Sequence, residues 1–180
     1  QATQNNAVAV QSNPPKGFED MDNEDLIIPR VKLLQALSPE INEGYRAGEI
    51  INSLTKEKLP EYFIPIFQFK TFIKFNPKSD KDPNFVKEFP AGSIIWRTND
   101  PTDPRVIETK FGEHGEKPQA VAIINFLSLF EGQTSPIVVG FSKTSYSMGR
   151  KLLSLARFSG GDMFSRKYKL TSKIVKGEFT

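Results

Sequence analysis

The stretch Glu61-Tyr-Phe-Ile-Pro-Ile-Phe-Gln-Phe-Lys-Thr-Phe-Ile-Lys-Phe75 decides the fold class. It is too rich in aromatic and β-branched residues for a comfortable helix. Its second half alternates with period two. The odd positions Phe63, Phe67, Phe69, Ile73 and Phe75 make a largely apolar face broken by Thr71, and the even positions Gln68, Lys70, Phe72 and Lys74 make a basic, aromatic one. This pattern predicts a long bent strand with its odd face on the core and its even face open. Pro65 lacks the N–H a ladder needs, so an edge or a bulge is expected near the start of the strand.

Upstream, Leu26–Leu34 reads as a short extended segment in which Pro29 argues against helix, Ser38-Pro39-Glu40 as a turn, and Arg46–Leu54 as a strand. Downstream, residues 76–118 are polar and turn-rich apart from the short strand Ser93–Thr98. They predict a long insertion carrying a small hairpin. Gln119–Phe130 and Pro136–Phe141 are apolar runs joined by Glu131-Gly-Gln-Thr134, a hairpin signature. From Ser145 to Phe158 the period changes to helical. Met148, Leu152, Leu155 and Ala156 fall on the expected buried face, with Gly160-Gly161 at the end. Phe164–Leu170 and Ser172–Thr180 read as two last strands. The expectation is a mainly β chain: an antiparallel barrel of the oligonucleotide-binding (OB) type with one helix between late strands. Residues 1–23 are expected to form a flexible polar arm, and 24–180 a single domain with 76–118 inserted.

Composition narrows the function. With 38% hydrophobic residues and fifteen Phe among 180, the chain has bulk for one packed β domain. It has no apolar run near membrane-spanning length, and Gln1–Val10 does not read as a signal peptide; the lack of Cys fits a reducing cytosol, so a cytoplasmic setting is expected. It has no Cys, so thiolate metal sites and disulfides are excluded, and His114 is its one histidine. No phosphate-loop, nucleophile-elbow, zinc-protease or EF-hand spacing is found. Glu108, Glu113, His114 and Glu116 lie close in sequence. They are the one set from which a metal-dependent nuclease could be built, although a solvated loop explains them more simply.

Charge is unevenly spread. Residues 1–100 hold 12 basic and 14 acidic side chains and residues 101–140 hold 3 and 5, whereas residues 141–180 hold 9 and 2. A basic end suits a polyanion, and it equally describes a solvated surface. Binding a single nucleic-acid strand needs cations along the phosphates and rings on which bases stack. The chain interleaves the two: Lys70, Phe72 and Lys74 on the long strand, Lys143 and Tyr146 after the hairpin, Arg150 and Lys151 on the helix, and Arg166, Tyr168, Lys169 and Lys173 beyond it. Trp96 beside Arg97 is either a stacking platform or a core plug. Most Phe residues must be core.

Leu26–Leu34, Ser38-Pro-Glu40, Gly48–Ser53 and Phe141-Ser-Lys-Thr-Ser-Tyr-Ser-Met-Gly-Arg-Lys-Leu-Leu153 resemble early-region proteins of tailed bacteriophages, some of them of single-stranded DNA-binding type. The resemblance covers about residues 24–180 and is most specific over 138–157. It implies a replication or recombination protein of the host cytoplasm that coats single-stranded DNA without sequence preference, with no catalysis and no cofactor. Replication or recombination proteins would be its partners. RNA in place of DNA, and self-association, are compatible with the same residues. The Cys-rich metal knuckle and the acidic tail of some such proteins are not seen in this sequence. A protein-interaction or virion-associated β module is the other reading.

Overall fold

The computed structural model describes residues 27–172. Its spine is β3 (Tyr62–Phe75), the strand read from the aromatic stretch. On one side β3 pairs antiparallel with β5 (Val121–Phe130), from Phe63↔Phe130 to Ile73↔Val121. On the other side it pairs with β4 (Ile94–Thr98) at its C-terminal end and with β7 (Tyr168–Lys169) at its N-terminal end. β6 (Ile137–Ser142) follows on β5, so the order is β4-β3-β5-β6 with β7 beside β3. A second, two-stranded sheet is made by β1 (Val31–Leu33) and β2 (Ile50–Asn52), and a single parallel bridge from Arg30 to Val138 joins it to β6.

Among the described residues the fold is mainly β and antiparallel, with one α-helix, α1 (Tyr146–Phe158), between β6 and β7. The sheets are not closed into a barrel, and this corrects the OB-like expectation. The strands that would close it are short: β2 has three residues and β7 two. Between them lies a cavity of about 430 Å³ lined by Gly48–Ile50, Lys58–Glu61 and Leu170–Ser172. The expected strand at Phe164 begins instead as a 3₁₀ turn, Met163–Ser165. Most of the last expected strand and the N-terminal arm lie outside the described residues. Within 76–118, β4 is a full member of the main sheet, and a 3₁₀ turn, Pro104–Thr109, follows it.

The long strand departs from simple alternation at Pro65. Its register against β5 shifts between Pro65 and Phe67. One extra residue there exchanges the two faces of everything that follows. Phe63 stays in the core, stacked on Phe130 at 5.6 Å, but after the bulge the even positions Gln68, Lys70 and Phe72 share the side of Phe126, Ile124 and Ala122. Phe72 is therefore buried at 5% exposure, while Phe67 on the opposite side is 52% exposed. This reverses the expectation for both residues. Phe75, expected in the core, is also largely exposed.

The main core joins Phe63, Phe126, Phe130 and Ile124 to Ile137, Val139 and Leu152 of the helix. Burying each of these side chains stabilises the fold by roughly 1.5–3 kcal/mol. The helix lies on the face of Ile124 and Phe141, and its buried residues are Gly149, Leu152 and Ala156. Met148 and Leu155, expected inside, are exposed. The helix turns Gly149 toward the sheet because glycine lets it approach closely.

Candidate nucleic-acid interface

The polypeptide leaves β6 at Ser142 through a tight helical turn, Lys143–Ser145, that runs into α1. Ser142 and Ser145 bond each other reciprocally at this junction: the Ser142 N–H donates to Ser145 Oγ at 3.0 Å, and that hydroxyl donates to the Ser142 carbonyl at 2.8 Å. The turn forces Lys143 into the left-handed region at φ 48°, an uncommon conformation for a residue with a Cβ. The result sets Lys143 and Tyr146 beside Lys70 and Phe72.

Across from them stands the segment after β4. Asp103 accepts from the Arg105 backbone N–H at 2.9 Å and from its guanidinium at 3.0 and 2.7 Å. Those bonds hold the Asp103 carboxyl down at about 2. The same guanidinium lies 5.3 Å from the centre of the Trp96 ring. Trp96, 8% exposed, packs with Phe72 and Ala120, and Val106 and Ala122 close the cluster. Its indole Nε1 has no acceptor among the described residues. Trp96 is thus the plug that pins the 101–118 segment to the sheet, not a free stacking platform.

Between this segment and the start of α1 lies a groove of about 790 Å³. Its floor is apolar, with Phe72, Ala120 and Ala122. Its cations are Lys70, Lys110, Lys117 and Lys143, and among the described residues no carboxylate lines it. None of the four lysines makes an ion pair among the described residues. Phe111, 71% exposed, supplies open aromatic surface at one wall, and Tyr146, half-buried against the main core, lines the other.

Of the residues expected to bind, Lys70, Phe72, Lys143 and Tyr146 are brought together at this groove, with Phe72 as floor. Lys74 lies next to the groove but is engaged: its Nζ donates to Glu108 Oε2 at 2.7 Å and to Gln119 Oε1 at 3.1 Å. Arg150 and Lys151 are exposed on α1, outside the lining. Arg97 is exposed on the other side of the sheet, opposite Ile73. Arg166, Tyr168 and Lys169 collect at the far end of β3. There Tyr168 packs 6.3 Å from the Phe63 ring, Lys169 pairs with Glu61 at 2.9 Å, and Arg166 donates to the Ser159 carbonyl. Tyr168 is therefore a core-edge residue. Lys173 lies outside the described residues.

The sequence reading missed Lys110, Phe111 and Lys117. Their signal was present as a cation beside an aromatic, Lys110-Phe111, inside a stretch read for its carboxylates. Those carboxylates do not converge. Glu108 is held by Lys74, the Glu116 side chain accepts from the His114 N–H, and no three His, Asp or Glu side chains gather to hold a metal among the described residues. No helix among the described residues is long and apolar enough to cross a membrane.

No curated protein and no solved structure matches the chain. A family model, described as Pam3 phage gp34-like protein, matches residues 1–178. That span is nearly the whole sequence, and it accords with the phage likeness of the strand-to-helix segment. The chain belongs to the Pam3 phage gp34-like family of phage proteins.

Proposed function

We propose that this phage protein binds single-stranded DNA, without reading its sequence, in the groove between the start of α1 and the 101–118 segment, and that it serves phage replication or recombination. The observation that carries the reading is the lining: four lysines and, among the described residues, no carboxylate, over an apolar floor. Lysines without acidic partners attract phosphates, and the counterions they displace make binding weaken with salt. Phe111 and Tyr146 offer rings on which bases stack, an interaction worth about 1–3 kcal/mol per base and indifferent to base identity. A strand whose bases are unpaired can present both its phosphates and its ring faces to such a groove, and a duplex cannot. The reading requires no catalytic step and no cofactor.

The test is fluorescence anisotropy of a labelled thymidine oligonucleotide at low and at moderate salt. Binding that weakens steeply with salt, exceeds binding to duplex and falls in Lys70→Gln and Lys143→Gln supports the reading. No binding at low salt overturns it. Trp96 is the only tryptophan and packs against the floor residue Phe72, so its emission gives an independent readout.

One observation favours a protein partner as a second reading. Met148, Leu155 and Phe158 lie along the outward side of α1 at 47%, 61% and 86% exposure. Exposed apolar side chains at this spacing suit a docking helix or sheet. Concentration-dependent sedimentation that Phe158→Ser abolishes, without effect on oligonucleotide binding, would assign that stripe to protein contacts.

A further inference from the structure

The face of the sheet opposite α1 carries an arrangement that the groove does not use. Asn125 and Thr71 sit on this face and are buried at 0% and 1% exposure, although their neighbours on the same side are apolar. Asn125 Nδ2 donates to Thr71 Oγ1 at 2.9 Å, and Asn125 Oδ1 accepts from an Arg30 guanidinium nitrogen at 3.2 Å. Gly140, directly across from Asn125 on β6, keeps the space open. A Cβ there would press on Asn125 Oδ1 at 3.2 Å and meet Ile123 Cγ2 at 3.4 Å, while reaching only ordinary contact with the Arg30 nitrogen at 3.9 Å. Two buried polar side chains thus hold one arginine over the middle of the sheet, and the glycine leaves room for the asparagine that bonds it. That is an elaborate support for a cation that, among the described residues, makes no ion pair.

Arg97 joins it. It stands opposite Ile73 on β3, which places it on this same face. Its charge is felt at Arg30, whose pKa is lowered first by burial and second by Arg97. No residue of β3, β4, β5 or β6 on this face is acidic. Beside Asn125 in register is Phe69, and its ring stacks on that of Phe67 at 5.4 Å and 17°. Phe67 is more than half exposed. Two arginines and a stacked aromatic pair share one side of the sheet.

We infer that this face is a second anion site, in which Arg30 and Arg97 take phosphodiester groups of a nucleic-acid strand and Phe67 with Phe69 stacks its bases. Guanidinium suits this use because its flat fork of donors matches phosphate oxygens, and Arg30 spends one donor on Asn125 while keeping the others. The inference rests on the nucleic-acid reading of the groove and extends it. One long strand would pass from the lysine groove around the β4 edge to the opposite face.

The experiment compares the full chain with Arg97→Gln, Arg30→Gln, Phe67→Leu and Lys70→Gln. Each is titrated with thymidine oligonucleotides of about 8 and about 30 nucleotides over a range of salt. The expected result is that Arg97→Gln and Arg30→Gln each weaken the long oligonucleotide several-fold and lower its salt slope by roughly one, with Phe67→Leu weakening it at unchanged slope. Ultraviolet crosslinks from the long oligonucleotide should map to the peptide that holds Phe67 and Phe69. Unchanged affinity and slope in Arg97→Gln, with loss in Lys70→Gln, overturns the second site and leaves the groove standing. No binding by the unaltered chain overturns both. Arg30→Gln removes a partner of buried Asn125, so a lowered melting temperature there would signal misfolding, and the exposed Arg97 then decides. A peptide of residues 18–25, acidic in sequence, is the control for a protein ligand. Binding that Arg97→Gln abolishes and the oligonucleotide does not displace would overturn the inference.

Discussion

Lys74 and Glu108 are joined by a 2.7 Å ion pair that ties β3 to the 3₁₀ turn behind β4. By sequence alone Lys74 is equivalent to Lys70, on the same strand and in the same alternation. In the structure one cation is engaged and the other is open. Lys74→Gln is expected to leave oligonucleotide affinity and salt slope within error of the unaltered chain, whereas Lys70→Gln should weaken binding and reduce the slope by about one. The Lys74 side chain is 18% exposed and that of Glu108 29%. Losing this pair should cost stability only on the order of 1 kcal/mol. Anisotropy titrations on the two variants at matched salt check the contrast.

Lys143 offers a case in which stability and function should move in opposite directions. At φ 48° a residue with a Cβ is strained by about 1 kcal/mol or somewhat more. Glycine relieves that strain and removes the cation from the groove. Lys143→Gly should therefore raise the midpoint of urea denaturation while weakening oligonucleotide binding several-fold. A variant that is both less stable and unaltered in binding would show that the backbone at 143 is unstrained and that the lysine touches no phosphate.

Much of the strand order was legible because period-two patterns and turn residues report directly on local backbone. The long strand, the hairpin around Glu131-Gly-Gln-Thr134 and the single helix all follow from such signals. What escaped were consequences of single-residue offsets. Pro65 announced a bulge, yet only pairing with β5 shows that the bulge exchanges the faces, burying Phe72 and exposing Phe67. The helix offset has the same character: Met148 and Gly149 are neighbours, and the apolar one wins by composition while the small one wins by packing. Half of the groove was hidden for another reason. Lys110, Phe111 and Lys117 come from an irregular segment whose path depends on Asp103, Arg105 and Trp96 meeting, and periodicity says nothing about such meetings.

Gly149 tests the packing argument. A Cβ placed on it would lie 2.9 Å from Phe141 Cβ, closer than packed carbons tolerate, and 3.2 Å from Ile124 Cβ, a tight contact. Both neighbours belong to strands, so relief requires α1 to move off the sheet. Gly149→Ala should gain up to about 1 kcal/mol in helix propensity and lose roughly 1–3 kcal/mol to overpacking. The net expectation is a lower denaturation midpoint with unchanged slope. Because α1 carries Tyr146 at its first turn, oligonucleotide binding should weaken as well. A more stable Gly149→Ala would mean that the helix seats more loosely than this contact requires.

Acid should act on the β1–β2 sheet and on the groove wall together. Glu40 is buried at 2% exposure beneath Lys32 and Lys56, whose ammonium groups donate to Oε1 at 2.6 and 2.5 Å. Hydrogen bonds from Lys32, then Lys56, hold its carboxyl at about 2, against an ordinary value of 4.5. Asp103 is held at about 2 by Arg105. For a carboxylate with a depressed folded-state pKa, the folded form binds fewer protons than the unfolded one. Its stabilisation is therefore fully present above the ordinary carboxylate range. It declines as pH falls below about 4.5 and is gone once pH has passed through about 2. Thermal melts should thus hold a constant midpoint from neutrality to about pH 5 and drop steeply below it. Glu40→Gln should begin with a lower midpoint at neutral pH, because Lys32 and Lys56 lose their partner, and should fall less steeply between about pH 5 and about pH 2. Asp103→Asn should flatten the same window and, since Asp103 anchors Arg105 over Trp96, should also shift Trp96 emission at neutral pH. If both variants retain the full acid slope, the titrating groups lie elsewhere, and the ion pairs of Glu40 and Asp103 do not support the sheet and the groove wall.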